Sequence, residues 1–589
     1  MSAEPHHHAA RDLTSSAPGE HQPAAMDGGG QGREGPLGRG DATPGGARGA
    51  PDGPARGGLA GLLAAWAALA IVAVVLALPN RGTPGLNYDE AALAGLARDL
   101  VTGQVRTEHI PTVVTLPFAG RRLPWVMAGY YGALKSWMFA PAFAAFGTSA
   151  AVLRMASLGW ALFGLLLFML FARRLLGTVP AILAGALLGL DPSFFFIVVH
   201  DWGPVVPGFV CRFAGLLFAA RAWQGRSARD ALVAGLAFGL GFWAKIDFAV
   251  LLAGCAFAAC LAWPGELCTA LRERRTQAAA LAGGLLLGAL PMLLNLRGVL
   301  GAMAEFGAGD PRQWIQKPGA IVAMFDGSYF HRLMRVGGNF EHMWEAPAPF
   351  RTPYGIVFLL SAIVLAASAL RVRADGSRDR LARFLLLACG SILAALWFVP
   401  NASFLHHWTL VYPFPHLAIA LATLRLWQAP PEGLVAAEGP RRAARAAAAL
   451  AVVAVLAGHL YAIGRTERFL AESGGRGLWS DALHRFAAEI DGHPEITVVS
   501  LDWGFNEQLA VLTDGPRLLE PVWALQRGET IRLDPDPNTI YLLHPEPYTI
   551  LPWARSRLLA SGAIDPTRDD IREYKDRTGD TAFLAIRLR

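Results

Sequence analysis

Charge is what this chain has least of. Of its 589 residues only 17% are Asp, Glu, Lys or Arg, while 53% are hydrophobic. Ordinary soluble domains carry about a quarter charged residues, and no single globular core needs this much apolar sequence, so a soluble fold is excluded for most of the length. Cysteine is scarcer still, five in all. Cys211, Cys255, Cys260, Cys268 and Cys389 lie in or beside apolar runs, with neither a disulfide framework nor the spacing of a zinc site. The C-terminal region has no glycine-rich phosphate loop, so no nucleotide is assigned to it. None of the basic motifs of nucleic-acid-binding proteins occurs either. The net charge of +6 is therefore read as membrane topology, with no nucleic-acid partner.

Apolar runs are what the sequence has in quantity. The first, Leu59 to Leu78, is too long and begins too far from Met1 for an ordinary cleaved signal peptide, and is expected to remain as a span. Others are read at about 150–171, 179–199, 204–222, 231–244, 247–263, 278–296, 353–370, 384–400, 407–426 and 447–463, which makes about eleven transmembrane helices. Residues 1–57, rich in Gly, Pro, Ala and Arg, are expected to be a disordered cytoplasmic tail. His6-His7-His8 within it reads as incidental rather than as a metal site. Arginine distribution tests the parity. Arg173-Arg174, then Arg226 and Arg229, then Arg272, Arg274 and Arg275, then Arg371, Arg373, Arg378, Arg380 and Arg383, and finally Arg441, Arg442 and Arg445 fall in every second connection. The turns around Asp201, Lys245 and Asn401 are nearly free of arginine. Positive charge collects on the cytoplasmic side, so the N-terminus is expected there and the C-terminus on the opposite face.

Three segments then lie outside, at about 79–149, 297–352 and 464–589. In the first, the aromatic stretch Trp125 to Phe146 is interrupted by Lys135 and Pro141 and suits helices lying in the interface better than a crossing. The second, around Phe325 to Arg332, mixes aromatics with charges in the same way. The third changes composition: 495–501, 539–544 and 581–588 read as strands, 480–490 and 505–512 as helices. A multi-span α-helical membrane protein with a small C-terminal extracytoplasmic α/β domain is the expected fold class. Asp502-Trp503-Gly504, after the first of these strands, offers either a ligand contact or a strand-to-helix turn and cap, the latter favoured.

Asp89-Glu90 stands about ten residues beyond the first span. Acids just outside a bilayer can take a proton from an incoming nucleophile while the lipid beside them supplies a hydrophobic substrate. Neighbours in a helix diverge by about 100°, so one carboxylate can face a cleft while the other caps the helix or pairs with Arg98. The bland reading of the pair is a helix N-terminus, since acids favour a first turn. A second acid, in His200-Asp201-Trp202-Gly203, falls on the same face by charge parity, with a plain turn residue as its alternative. Asp191, in Leu190-Asp191-Pro192, instead suggests a kink within a span.

One span, an outside loop opening with Asn87-Tyr88-Asp89-Glu90-Ala91, interfacial aromatics and paired spans joined by short polar turns together resemble the GT-C glycosyltransferases. More narrowly, they look like the bacterial relatives of protein O-mannosyltransferases and lipid A aminoarabinose transferases. The likeness covers about 59–463, mostly as architecture, and is sharpest at the acidic pair. It implies transfer of a sugar from a polyprenyl-phosphate type of lipid carrier to an acceptor on the outer face of the cytoplasmic membrane. Asp89 matches the family's first-loop aspartate, the base or acceptor-orienting residue, with Glu90 beside it. Asp201 matches the second acid, although Trp-Gly-Pro follows it here. Lys245, in Trp243-Ala244-Lys245-Ile246-Asp247, resembles a lysine-bearing junction, with snorkelling or pairing to Asp247 as its bland alternative. His406-His407 ahead of Tyr412-Pro413 stand where relatives carry arginine or lysine. Lys245, His406, His407 and Tyr412 are thus the candidates for binding lipid phosphate, and Arg332 and Arg335 are further cations in the second loop. No cofactor is assigned. The sequence leaves open a divalent metal held by carboxylates and a histidine.

The expected function is an inverting lipid-linked sugar transferase, acting on a glycan, lipid or protein acceptor. Its alternatives are a transporter or flippase for lipid-linked sugars, with charges along a path, and an inactive protein that binds them.

Overall fold

The computed structural model of the protein describes residues 56–106, 113–118, 120–307, 312–338, 342–344, 347–370, 377–400, 402–428, 438–526, 529, 531–560 and 562–589. Residues 1–55 of the tail expected to be disordered, His6-His7-His8 among them, lie outside this set, as do Arg371, Arg373 and the turn at Asn401.

A backbone in hydrocarbon must satisfy its own polar groups, and the apolar runs accordingly fold as helices. After α1 (Arg56–Ala77) the first extramembrane segment holds α2 (Tyr88–Thr102), an antiparallel ribbon and α3 (Leu134–Phe146). The ribbon consists of β1 (Val114–Phe118), β2 (Arg121–Ala128) and β3 (Tyr131–Gly132). There follow α4 (Ala150–Leu176), α5 (Thr178–Gly189), α6 (Pro192–Val199), α7 (Val205–Gly225) and α8 (Ala228–Ala244). Next come α9 (Phe248–Ala262), α10 (Pro264–Glu273) and α11 (Arg275–Leu294). The second segment contains α12 (Leu296–Gly307), α13 (Arg312–Phe325) and α14 (Tyr329–Arg335). The helical part closes with α15 (Tyr354–Leu370), α16 (Ser377–Phe398), α17 (Leu405–Trp408), α18 (Phe414–Gln428) and α19 (Glu438–Ser473).

All eleven apolar runs are present as helix, but they are not equal. Among the described residues seven helices have the length and hydropathy to cross a membrane, or nine if two bent pairs each count as one crossing. The pairs are α5 with α6, bent by 63°, and α9 with α10, bent by 103°. The remaining two, α8 and α15, have 17 residues each. The first bend has a clear cause. Pro192 cannot continue a helix but suits its first position, and Asp191 caps the new helix by accepting from the Phe194 amide at 3.1 Å.

Large apolar side chains such as Ile71, Val75, Leu287, Ile356 and Leu450 point outward, as in a multi-pass membrane protein whose surrounding solvent is hydrocarbon. Between helices, small residues let backbones approach. Gly235 and Gly239 of α8 lie against the carbonyls of Leu281 and Leu285, while Gly284 and Gly288 of α11 lie against those of Leu232 and Leu236. This reciprocal seam brings the backbones of α8 and α11 into close approach.

The two ends of the bundle differ. At one, the arginine-bearing connections meet: Arg174 donates to Gln224 at 2.6 Å, Arg274 to the Trp223 carbonyl at 2.9 Å, and Arg425 pairs with Asp379 at 2.8 Å. At the other, the first, second and third extramembrane segments join. Gly85 N donates to Trp479 O at 2.8 Å, and Leu478 N to Gly337 O at 3.0 Å. The third segment comprises α20 (Ala482–Ile490), β4 (Thr497–Ser500), α21 (Asn506–Leu512), β5 (Arg517–Leu519) and α22 (Val522–Gln526), then β6 (Thr539–Leu543), α23 (Pro552–Ala560), β7 (Asp570–Lys575) and β8 (Thr581–Arg587). Its sheet runs β5-β4-β6-β8-β7, with β4 parallel to both neighbours and the β6-β8-β7 side antiparallel. The strands and helices expected there are among these.

Gly283 and Gly284 are neighbours with opposite surroundings, open space and the α8 backbone respectively. Gly284→Ala should cost about 1–3 kcal/mol through overpacking and lower the melting temperature in detergent, while Gly283→Ala leaves it unchanged. Equal melting of the two variants would contradict the seam.

Candidate active site

The site starts from a helix cap. Asn87 accepts the Asp89 amide on its side-chain oxygen at 3.0 Å, which starts α2 and places Asp89 and Glu90 in its first turn, where the helix dipole favours acids. The two carboxylates then part. Glu90 is fully buried and held at two points by Arg154, whose Nε donates at 2.7 Å and Nη2 at 2.9 Å. The same guanidinium donates to the carbonyls of Pro84, at 2.8 Å, and Gly85, at 3.3 Å. Glu90 therefore fastens the loop, and its partner is Arg154. The expected partner, Arg98, pairs with Asp514 instead. Asp89 stays partly exposed and lines a cavity of about 430 Å³.

Asp201 is likewise a fastener. It sits in a turn at φ +30°, accepts the Val206 amide at 2.8 Å and pairs with the buried Lys135 ammonium at 3.1 Å. Lys135 also donates to the carbonyls of Glu90 at 3.2 Å, Asp201 at 2.9 Å and Gly203 at 3.1 Å. The Gly203 amide donates to the Asp89 carbonyl at 3.0 Å. The second acidic turn is thus tied to the backbone of the first, with its own carboxylate turned away from the cavity. The neighbour of Asp201, Trp202, is the residue that reaches the lining.

Aromatic side chains from two inter-helix turns and the third segment complete the walls: Trp202, Phe404, Trp479 and Trp503, with Leu333 and Ile550. Trp503 packs against Tyr88 at 4.1 Å between ring centres, the rings tilted by 35°, and Trp202 meets Trp479 at 5.1 Å. Trp503 belongs to Asp502-Trp503-Gly504, which forms the strand-to-helix turn as expected but does not cap α21, whose first turn has no side-chain cap. Asp502 accepts its own loop's amide, Trp503 N, at 2.8 Å and that of Ile550 at 3.3 Å, with His544 3.4 Å away. The turn therefore carries one lining residue, Trp503, and holds the backbone of a second, Ile550.

Lys245, His406 and His407 gather beside this cavity. Lys245 pairs with Asp247 at 3.1 Å, His407 Nδ1 lies 3.1 Å from the same oxygen, and the two imidazole Nε2 atoms are 3.0 Å apart. His406 stacks on the lining residue Phe404. If His407 donates from Nδ1 to Asp247, its neutral ring accepts at Nε2, and His406 is the donor between the two. Tyr412 does not join them. It is buried in the bundle, where its hydroxyl donates to Asp191 at 3.1 Å, and the Arg212 guanidinium donates to its carbonyl at 2.6 Å. The proline-rich segment is thus a structural joint, and the Tyr412 hydroxyl expected at the phosphate is turned to Asp191 inside the bundle. Arg332 lies on α14 with its Nε donating to Ser328 at 3.1 Å, and Arg335 donates to the Pro347 carbonyl at 3.1 Å. Among the described residues no three His, Cys, Asp or Glu side chains form a group able to hold a metal ion. Asp201 in particular is turned to Lys135, not to Asp89.

Burial raises the Asp89 carboxyl above the usual aspartate value, and the Lys245 and Lys135 charges pull it partly back. Glu507, buried on α21, is pushed up to about 8, first by burial and then by the Asp89 charge. Sequence reasoning missed Glu507, Lys135, Arg154, Trp202 and Trp479 as parts of the site, and reached Trp503 only through the turn that carries it. The cations carried one signal, a single positive charge within a largely apolar stretch, which in a membrane protein points to a buried partner.

Lys135→Met should cost about 3–5 kcal/mol, because it leaves Asp201 a buried charge without its partner. Asp89→Asn should melt like wild type. A thermal series on detergent-solubilised variants separates the two, and equal loss in both would contradict this division of roles.

A profile of the dolichyl-phosphate-mannose-protein mannosyltransferase family matches residues 133–294, a stretch that includes Asp201 and Lys245 but not Asp89. No curated protein sequence matches the chain significantly. Among solved structures, ArnT from Cupriavidus metallidurans in the apo state is similar, with 14% identity, a TM-score of 0.54, and coverage of 90% of this chain and 98% of ArnT. ArnT from the same organism bound to undecaprenyl phosphate matches with 14% identity, a TM-score of 0.52 and the same coverage. The fold is that of the GT-C superfamily of membrane glycosyltransferases.

Proposed function

From the GT-C fold, we propose that this protein is an inverting glycosyltransferase that moves a sugar from a polyprenyl-phosphate carrier to an acceptor in the cavity over Asp89. The observation that carries the reading is the meeting of one outward-facing carboxylate, an aromatic-walled cavity and a Lys-His-His-Asp cluster at a single end of the bundle. The undecaprenyl phosphate bound to ArnT supports a lipid phosphate as the donor's leaving group. The cavity's volume of about 430 Å³ falls in the range of small-ligand sites, whose walls are mostly apolar with a few placed polar groups.

The chemistry follows from the roles. The acceptor's hydroxyl or amine attacks the sugar's anomeric carbon, and Asp89 takes its proton. The bond from that carbon to the phosphate oxygen breaks, and the phosphate leaves with the electron pair. Charge grows on that oxygen, where fixed donors are most effective. Lys245 is the donor on offer, with the incoming phosphate competing with Asp247 for the ammonium, and His406 can donate only by giving up its bond to His407. Glu90 and Asp201 position the first turn of α2. We place the cavity on the outer face, in keeping with the arginines gathered at the opposite end.

Purified protein in detergent, a panel of radiolabelled polyprenyl-phosphate sugars and membrane-extract acceptors form the test. Wild type should transfer label and Asp89→Asn should be slower by about 10²–10⁴. Transfer by the variant at the wild-type rate would remove Asp89 as base. No transfer by a folded wild type, with donors shown to bind, would favour a binding or transport role. The same assay with EDTA reads any need for a divalent metal.

The pH profile gives a second test. A base works deprotonated, so a raised carboxyl sets the acidic limb of kcat/KM above the value for an ordinary aspartate. Lys245 lowers the Asp89 value, and Lys245→Met removes that pull. The limb should therefore move to higher pH while the rate falls. A limb that stays in place would separate Lys245 from Asp89.

A further inference from the structure

α19 carries arginine at both ends: Arg441, Arg442 and Arg445 at one, Arg465 and Arg468 at the other, with Arg476 just beyond it. Arg445 and Arg465 are separated by about 30 Å along the axis at 1.5 Å per residue, the thickness of a bilayer's hydrocarbon. The cytoplasmic bias of positive charge can account for one of these clusters, whichever way the helix runs, but not for both.

The second cluster is built into a pocket. Arg335, Arg465, Arg468 and Arg476, with His331, Phe469 and Glu472, line a space of about 390 Å³ that shares no lining residue with the cavity over Asp89. α14 divides the two, sending Leu333 to the cavity and His331 and Arg335 to the pocket. Four guanidiniums face one carboxylate, Glu472, which pairs with Arg468 at 2.7 Å. Arg335 is steadied by the Pro347 carbonyl at 3.1 Å, and the Arg476 guanidinium lies over the Phe469 ring. The Arg476 Nε is buried with no hydrogen-bond partner among the described residues. His331, 3.2 Å from the Thr466 hydroxyl, is pushed down to about 4 by burial and by Arg335, Arg465 and Arg332. It is neutral at pH 7, so the positive charge here is arginine's.

An excess of three guanidiniums lining one concave site calls for an anion that can accept several forked donors at once. Phosphate does this better than a single carboxylate. We propose that this pocket is a second phosphate-binding site, distinct from the proposed donor site, which takes either a phospholipid headgroup at the membrane surface or a free phosphate group.

Full-length protein in detergent would be titrated with dihexanoyl-phosphatidic acid, dihexanoyl-phosphatidylcholine and inorganic phosphate. Phosphatidic acid or inorganic phosphate should bind saturably, and Arg465→Gln/Arg476→Gln should weaken that binding by about tenfold or more. Glu472→Gln should tighten it. Phosphatidic acid far stronger than inorganic phosphate identifies a lipid headgroup, and comparable affinities identify the phosphate group alone. Absence of saturable binding by both probes overturns the proposal, as does unchanged affinity in a double variant that melts like wild type. Should the double variant fail to fold, unchanged affinity in Glu472→Gln overturns it.

Discussion

Two cations buried against one helical turn hold the site together. Lys135 and Arg154 are both inaccessible, and both end on the segment that begins α2. Removing a charge from water costs several kcal/mol unless pairing and hydrogen bonds replace its hydration. Here they do: Lys135 meets Asp201 and three carbonyls, and Arg154 meets Glu90 and two. The consequence is geometric more than energetic. With Glu90 locked inward and the Gly203 amide on the Asp89 carbonyl, the backbone that carries Asp89 is fixed on both sides, and its carboxylate has only the cavity to face. A catalytic group needs its supporting shell fixed in this way, since small displacements lower rates steeply.

The C-terminal sheet contributes the rest. Asp502 and His544 follow its strands β4 and β6, and the Asp502 carboxylate gathers two loop amides so that Trp503 and Ile550 reach the cavity. Tyr88, one residue before Asp89, packs against Trp503. The cavity over Asp89 therefore exists only where the helical part and the C-terminal sheet are folded together. Glu507 ties the two electrostatically, since its carboxyl, raised to about 8, keeps its proton more firmly when Asp89 is charged.

Much of this was legible in the residues. Apolar runs marked every long helix, and the alternation of arginine correctly grouped the connections at the two ends. Asn87-Tyr88-Asp89-Glu90 read as a helix start, and Leu190-Asp191-Pro192 as a break in a span. Helix continuity was less legible, because apolar content says nothing about a 103° bend between α9 and α10. The assignment of roles to acids was also beyond the sequence. Asp89 and Glu90 are adjacent and chemically alike, and what separates them is Arg154, sixty-four positions away. Tyr412 looked like part of a phosphate site because of its neighbours, whereas its hydroxyl turns to Asp191 in the bundle. Tryptophans 202, 479 and 503 come from three regions whose convergence no local pattern encodes.

The central claim is that one cavity, over Asp89, is where a lipid-linked sugar meets its acceptor. An electron cryomicroscopy map of the full-length protein with undecaprenyl phosphate added tests it most directly. The account predicts phosphate density within hydrogen-bond reach of Lys245, with the first isoprene units leading away from the cavity that Asp89 lines. Phosphate density elsewhere in the bundle, with that cavity vacant, would contradict it.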